Sequence, residues 1–389
     1  MRIWGEIYRR IFFSFVRYLQ PRKIVAKPSL LVARMDGIGD YILFRPFFQA
    51  LVQSKKYQGF DFYFLGNASY QEIFEKCDQL YFKKSFWIDP SKLNINPFYR
   101  YAKMKELNSI GFDSIVCPLL SRHPYRHDDF LRGIYATHKI AVHGDLIKFS
   151  KRQILISQQI FTHFYDAKLW PIRFEMEFNR YFMQWFIEEP IGEVNTKIPL
   201  EFHKSSQNKN PNTVVIFVGG SQYSKKWSPK YMAQVIQYLL EHHHVHCLLC
   251  GSAADRIHAK KIMSYVSSTD RVKDLTGKTS LLELCRLLDS AQMLISHESC
   301  AHHFAISLNC PCIIVIYNGI HYGRFVPYPE HPNLIMIEHP KICLDRKSYM
   351  FESNFNVTVP FLNIDEIVPE RVIATIEKCE LALKGNFSR

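Results

Sequence analysis

The sequence predicts an α/β protein made of two Rossmann-like domains, each built on a parallel sheet. Its 389 residues exceed one ordinary core, so two domains of ordinary size are expected. Short apolar runs alternate with segments of helical periodicity in both halves. A polar stretch with breaker residues separates the halves.

The first alternation opens with Leu30–Ala33, an apolar run suited to a buried parallel strand. The turn Asp36-Gly37-Ile38-Gly39-Asp40 follows, and a helix is expected from about Tyr41 to Gln53. Further strands are expected at Phe62–Leu65 and Ser114–Cys117, while the aromatic-rich remainder up to about 200 shows no clear period. Residues 201–212 read as the linker because Ser, Asn and Pro cluster there. The expected division is a basic aromatic segment 1–27, a first domain 28–200, the linker 201–212 and a second domain 213–389.

The second half is more regular. Val214–Val218 is a β-branched strand, and Ser228-Pro229 marks a helix start. Met232, Val235, Ile236 and Leu239 lie on one face of that helix. His246–Cys250 is the next strand, followed by a helix over about Ala254–Val266. Ser280 and Glu283 form a capping box ahead of the stripe Leu281, Leu284, Cys285 and Leu288. Met293–Ser296 and Cys312–Tyr317 are strands, with a helix Ala301–Leu308 between them. Val368, Val372, Ile376, Cys379 and Leu383 stripe a C-terminal helix.

Ligands of such sheets bind where strand ends turn into helices. Three turns therefore stand out. In the first, Gly37 and Gly39 permit a sharp turn and close approach, and Asp40 sits at the mouth of the helix. Asp40 suits either a helix cap or a general base that takes a proton from an attacking hydroxyl. In the second, Gly219, Gly220 and Ser221 precede Lys225 and Lys226, so backbone N–H groups, a hydroxyl and ammonium groups converge. That combination suits a diphosphate, although a solvated basic loop has the same composition. Walker A spacing is absent. The third turn is Ser296-His297-Glu298-Ser299-Cys300-Ala301-His302-His303. The helix it opens favours an anion at its first turn, and Glu298 there suits sugar or ribose hydroxyls. Glu298 or Ser299 also suits simple capping. His303 reads locally as a core histidine bonded to backbone.

A net charge of +13 favours anionic partners. Aromatic-plus-basic nucleic-acid motifs are missing, so nucleic acid is not an expected partner. Ten cysteines, several in strand-like runs, read as reduced thiols of a cytosolic protein. No run reaches the roughly 18 apolar residues of a membrane span. The N-terminal segment mixes Trp4, Phe12, Phe13, Phe15 and Tyr18 with Arg9, Arg10, Arg17 and Arg22. Such a helix either lies in a membrane interface or docks on the protein's own surface. His242, His243, His244, His246, Cys247 and Cys250 invite a zinc reading, but successive strand residues point to opposite faces, so Cys247 and Cys250 face opposite ways and no metal is assigned.

Taken in order, the three turns resemble glycosyltransferase family 9, the heptosyltransferases of bacterial lipopolysaccharide assembly. Leu31–Leu51 is similar to the family's opening strand, Gly-Asp turn and helix. Lys225-Lys226-Trp227-Ser228-Pro229 resembles its basic-Trp-Pro motif, and Asp274–Leu284 its Leu-Thr-Gly-Lys-Thr-Ser segment. Ser296–Ala305 resembles its Asn-Asp-Ser-Gly-x-x-His-x-Ala block, with Arg324 and Pro327 after the last strand. The resemblance implies a GT-B fold, two facing Rossmann-like domains with the acceptor domain first and the donor domain second. It implies inverting, metal-independent transfer of heptose or a related sugar from an ADP-sugar, with no cofactor. The acceptor is a hydroxyl of a lipopolysaccharide-type or other surface glycan. A peripheral place on the inner face of a bacterial membrane goes with it. Asp40 matches the base and Lys225 the lysine that neutralises the leaving diphosphate, with Ser221 and Lys226 beside the phosphates. Glu298, Ser299, Cys300, Ala301 and His303 match the donor-binding block. The chain departs from that block at His297, Glu298 and Cys300, where the family has Asn, Asp and Gly. The rival readings are a GT-B transferase of UDP- or GDP-sugars and a non-catalytic nucleotide- or glycan-binding protein of the same fold.

Overall fold

The computed structural model describes residues 28–143, 150–166, 174–199, 210–220, 222–320, 322–326, 328, 331–346 and 362–382, with Ile11 and Phe15. The chain forms two compact units, 1–195 and 196–389. Most of the N-terminal segment and residues 201–209 lie outside the described residues. Asn210–Asn212, assigned above to the linker, already belong to a strand.

The first unit holds β1 (Ser29–Arg34), β2 (Asp61–Asn67), β3 (Lys84–Ile88), β4 (Phe112–Cys117), β5 (Ala136–Val142) and β6 (His163–Tyr165). Their order is β3-β2-β1-β4-β5-β6, and every neighbouring pair is parallel. A parallel strand covered on both faces needs an unbroken apolar run, and Leu30, Leu31, Val32 and Ala33 are all fully buried. The expected single helix Tyr41–Gln53 is in fact three pieces: Ile38–Phe44, a 3₁₀ turn Arg45–Phe47 and Phe48–Gln53. Pro46 has no N–H to donate, which breaks the ladder there. One face of the sheet is an aromatic cluster. Phe64 stacks on Phe74 at 4.2 Å and Phe48 meets Phe82 edge-on at 5.0 Å.

The second unit holds β7 (Asn210–Phe217), β8 (His246–Cys250), β9 (Val272–Asp274), β10 (Ala291–His297), β11 (Cys312–Tyr317) and β12 (Leu334–Glu338). The order β12-β11-β10-β7-β8-β9 repeats the pattern of the first unit, again all parallel. Helix Pro229–His242 buries Met232, Val235, Ile236 and Leu239 in one core cluster with Val214 and Ile216 of β7. Val372, Ile376 and Cys379 of helix Pro369–Ala382 join that cluster. Val368, expected in the same stripe, precedes the helix and is exposed, because Pro369 is the first helical residue. Leu383 lies outside the described residues. The capping box of Ser280 and Glu283 is present. Among the described residues no helix is long and apolar enough to cross a membrane.

In each unit the first strand is central. The chain builds outward on one side of it, then returns to build on the other. The reversal falls between β1 and β4 and between β7 and β10. At such a point neighbouring connections leave in opposite directions and open a crevice at the carboxyl ends of the strands.

Gly66 in β2 tests the packing of the first unit. A Cβ there would sit 2.5 Å from the Trp87 ring and 2.6 Å from the Phe64 ring. Gly66→Ala should cost about 1–3 kcal/mol through overpacking. Thermal melting checks this, and an unchanged midpoint would mean the two rings can yield.

Candidate active site

At the first reversal point, β1 ends in Arg34, whose guanidinium is fully buried. It donates to the carbonyls of Pro118 and Asp40, both at 3.1 Å, and to the Asn179 side chain at 3.5 Å. It pairs with Asp36 at 3.1 Å and Glu175 at 3.4 Å, and lies 4.7 Å from the centre of the Phe44 ring. Pro118 follows β4, so one side chain ties both edges of the crevice to helix Glu175–Ile187. Burial raises the Asp36 pKa, against the pull of Arg34, with Asp40 and Glu175 adding repulsion.

Asp40 sits in the first turn of helix Ile38–Phe44 and is partly buried. The N-cap position is Gly37, so Asp40 is not the N-cap residue. Gly37 has ordinary extended backbone, φ −78°, and its lack of a side chain serves a different end. A Cβ on Gly37 would lie 3.0 Å from Asp40 Oδ2, so glycine keeps space beside that carboxylate. Gly39 lies inside the helix.

At the second reversal point, β7 runs into Gly219 and Gly220 and then the 3₁₀ turn Tyr223–Lys225. A Cβ on Gly219 would meet Asp255 Oδ2 at 2.9 Å and the Phe217 ring at 2.8 Å, whereas Gly220 has ordinary room. Ser221 lies outside the described residues. Lys225 is buried and forms an ion pair with Glu298, which follows β10. Lys226 pairs instead with Asp255, beyond the end of β8. Trp227 is fully buried, its indole N–H donating to the Ile367 carbonyl at 2.8 Å and its backbone N–H to His297 Nε2 at 3.0 Å. Ser228 occupies the N-cap position ahead of Pro229, as the helix start expected there requires, but makes no side-chain cap bond; its N–H donates to Asp365. Asn318 at the end of β11 donates to the Ser224 carbonyl at 2.9 Å, which pins the loop.

Ser299 caps helix Cys300–Ser307, accepting from the Ala301 N–H, while the His302 ring accepts from the Ser299 N–H. Cys300 is the first helical residue, and burial pushes its thiol up to about 12. Ala301 is buried. His303 is not bonded to backbone as its local pattern suggested: its Nδ1 meets the Tyr328 hydroxyl. Arg324 lies over the Phe325 ring at 4.7 Å, and Pro327 lies outside the described residues.

The structure thus joins Lys225 to Glu298 beside the capped helix and places Lys226 apart from them. Local sequence reasoning missed Arg34, Asp255, Asn318 and Tyr328. The position of Arg34, a cation closing an apolar strand before a Gly-Asp turn, was the available signal. It also missed Arg122 after β4, which is buried, pairs with Asp128 at 3.0 Å and donates to the Val142 carbonyl.

Two doubly wound parallel units with polar turns at their reversal points match the GT-B fold, and solved structures share it. E. coli heptosyltransferase WaaC with ADP superposes with a TM-score of 0.66 at 15% identity, covering 90% of this chain and 99% of that one. E. coli ADP-heptose lps heptosyltransferase II gives 0.65 at 14% identity, covering 92% and 100%. The glycosyl transferase family 9 protein from Veillonella parvula gives 0.65 at 15%, covering 93% and 100%. At this identity the likeness shows the fold. No curated protein matches the chain in sequence. Residues 175–352 match the family model of glycosyltransferase family 9 (heptosyltransferase). That stretch, a little under half of the chain, is similar to a family 9 domain. The matched stretch holds Lys225, Glu298 and His303 and leaves Asp40 outside it.

These buried charges set two expectations. Arg34→Met should cost about 3–5 kcal/mol, because it strands Asp36 and Glu175 without their cation. Chemical denaturation of the first unit checks it, and a loss below about 1 kcal/mol would show the network to be dispensable. The second concerns pH. Burial holds His297 and His303 at about 3 and His302 well below its ordinary value. Each folded value lies under the unfolded value of roughly 6.5, so the unfolded chain binds the extra protons. Their contribution is complete above that value and is lost as pH falls toward the folded ones. Each costs about 1.4 kcal/mol per pH unit in that window. Melting temperature should fall steeply below about pH 6.5, and His297→Asn should make the fall shallower. An identical slope in the variant would remove His297 from the account.

Proposed function

We propose that the protein transfers heptose or a related sugar from an ADP-sugar to a hydroxyl of a lipopolysaccharide-type or other surface glycan. The observation that carries this reading is the buried Lys225 beside a capped helix N-terminus at the β7–β10 reversal point, inside the family 9 segment. A lysine beside the positive end of a helix suits a diphosphate. A similar solved structure is E. coli heptosyltransferase WaaC with ADP-2-deoxy-2-fluoro heptose, and that likeness supports an ADP-sugar as the donor class.

The chemistry follows from the residues. Asp40 accepts the proton of the acceptor hydroxyl as its oxygen bonds to the anomeric carbon. The bond from that carbon to the phosphate oxygen breaks, and the diphosphate leaves with the electron pair. Lys225 and the N–H groups at the start of helix Cys300–Ser307 stabilise the departing charge. A single displacement inverts the anomeric centre. It needs one base and one anion-stabilising patch, and neither a metal nor a cofactor takes part. Arg34 holds the Asp40 carbonyl and so sets the direction of the base. Lys226 balances Asp255 at the edge of the donor loop.

The N-terminal segment supports a place on the inner face of a bacterial membrane, as a peripheral protein. Ile11 and Phe15, four residues apart, are both exposed, as a helix that presents rings and branched chains to lipid requires.

Isothermal calorimetry with ADP-, UDP- and GDP-sugars tests the donor. An ADP-sugar should bind most tightly, and binding of only UDP- or GDP-sugars would replace it. Asp40→Asn should lower kcat by about 10²–10⁴-fold with donor affinity unchanged. Full activity in that variant would remove Asp40 from the mechanism, and nucleotide binding without any transfer would favour a non-catalytic binding protein.

A further inference from the structure

Lys225 is not waiting with a free charge. Its ammonium is closed onto the Glu298 carboxylate, and both side chains are at least nine-tenths buried. The two residues hang from the carboxyl ends of adjacent strands, β7 and β10, which fixes them face to face. We propose that Glu298 competes with the nucleotide diphosphate for Lys225 and releases it when the hydroxyls of the donor's sugar take over the carboxylate. This rests on the nucleotide-sugar reading above and adds to it a basis for telling donor from product.

The surroundings make the competition matter. His302 and His303 stand next to Lys225, and burial keeps both neutral at ordinary pH. Lys226 is committed to Asp255. The Cys300 thiol at the start of the helix is protonated as well. The Lys225–Glu298 pair therefore carries no net charge, and its neighbours supply none. A bare nucleoside diphosphate meets a cation already neutralised and a carboxylate of its own sign. A nucleotide-sugar brings hydroxyl donors that satisfy Glu298, so Lys225 turns to the phosphates without leaving a buried anion unpaired. After transfer the sugar is gone. Glu298 recovers Lys225, and the diphosphate loses its counter-ion and departs.

The test is calorimetry on the full chain with ADP, UDP and GDP and the matching nucleotide-sugars, for the native protein and Glu298→Gln. Glutamine keeps the size and hydrogen bonding and removes the charge. The native protein should bind the nucleotide-sugar at least tenfold more tightly than the corresponding diphosphate. Glu298→Gln should tighten the diphosphate about tenfold and collapse that ratio, with stronger product inhibition. Equal native affinities would overturn the proposal, as would a folded variant with unchanged or weaker diphosphate binding. If the glutamine variant does not fold, the native ratio and product inhibition in Glu298→Asp decide, since the shorter carboxylate reaches less far and should release product more slowly. Failure of every nucleotide-sugar to bind would sink the donor reading itself. Nucleotide-sugar binding without the charge effect would sink only the role of Glu298.

Discussion

In each unit the first strand lies in the middle of its sheet, and that constraint decides where polar chemistry can sit. A parallel sheet with helices on both faces has no room for unpaired polar groups along its strands. β1, β10 and β11 are buried over their whole length. Polar groups are therefore pushed to the strand ends. Only where the direction of winding reverses do two neighbouring connections part and leave their ends open. Asp40 stands at one such opening, Lys225 and Glu298 at the other.

The two openings handle buried charge differently. Taking an ion out of water costs several kcal/mol unless its partners replace the lost hydration. Arg34 gains carbonyls, an amide oxygen and two carboxylates from four parts of the first unit. Its two terminal nitrogens are held by groups that cannot leave without unfolding, so it serves as a fixed tie. Lys225 is a compact charge on a flexible stem, held by one carboxylate. A pair with one partner on each side is exchangeable in a way the Arg34 network is not. The first arrangement suits holding a base in place, the second suits binding and releasing an anion.

Much of the second unit was legible in the sequence because its elements are long and their patterns clean. Val214–Ile216, Met232–Leu239 and the Ser280 box each carry a period or a cap that local chemistry alone explains. The first unit hid more. β3 and β5 are partly exposed, β6 spans three residues, and aromatic side chains fill the face where aliphatic alternation would have marked strands. The site was legible as types of residue at turns. Its pairings were not, because Lys225 and Glu298 are 73 residues apart and meet only through the order of strands. The pairing of Trp227 N–H with His297 was hidden for the same reason.

The departures at the β10 turn bear on one another. Cys300 stands where the resembled family has glycine, at the first position of the helix capped by Ser299. A helix N-terminus ordinarily lowers a thiol pKa, yet burial prevails here and keeps Cys300 neutral. It contributes bulk and no charge. A side chain at that position keeps a phosphate further from the backbone than glycine would, and the attraction of the N–H groups falls quickly with distance. More of the stabilisation of a leaving diphosphate then rests on the lysine ammonium. Glu298, with one methylene more than aspartate, closes on that same ammonium. On the proposed reading the two replacements act together: one raises the dependence of the site on Lys225, and the other sets Lys225 against a carboxylate that a sugar would first occupy.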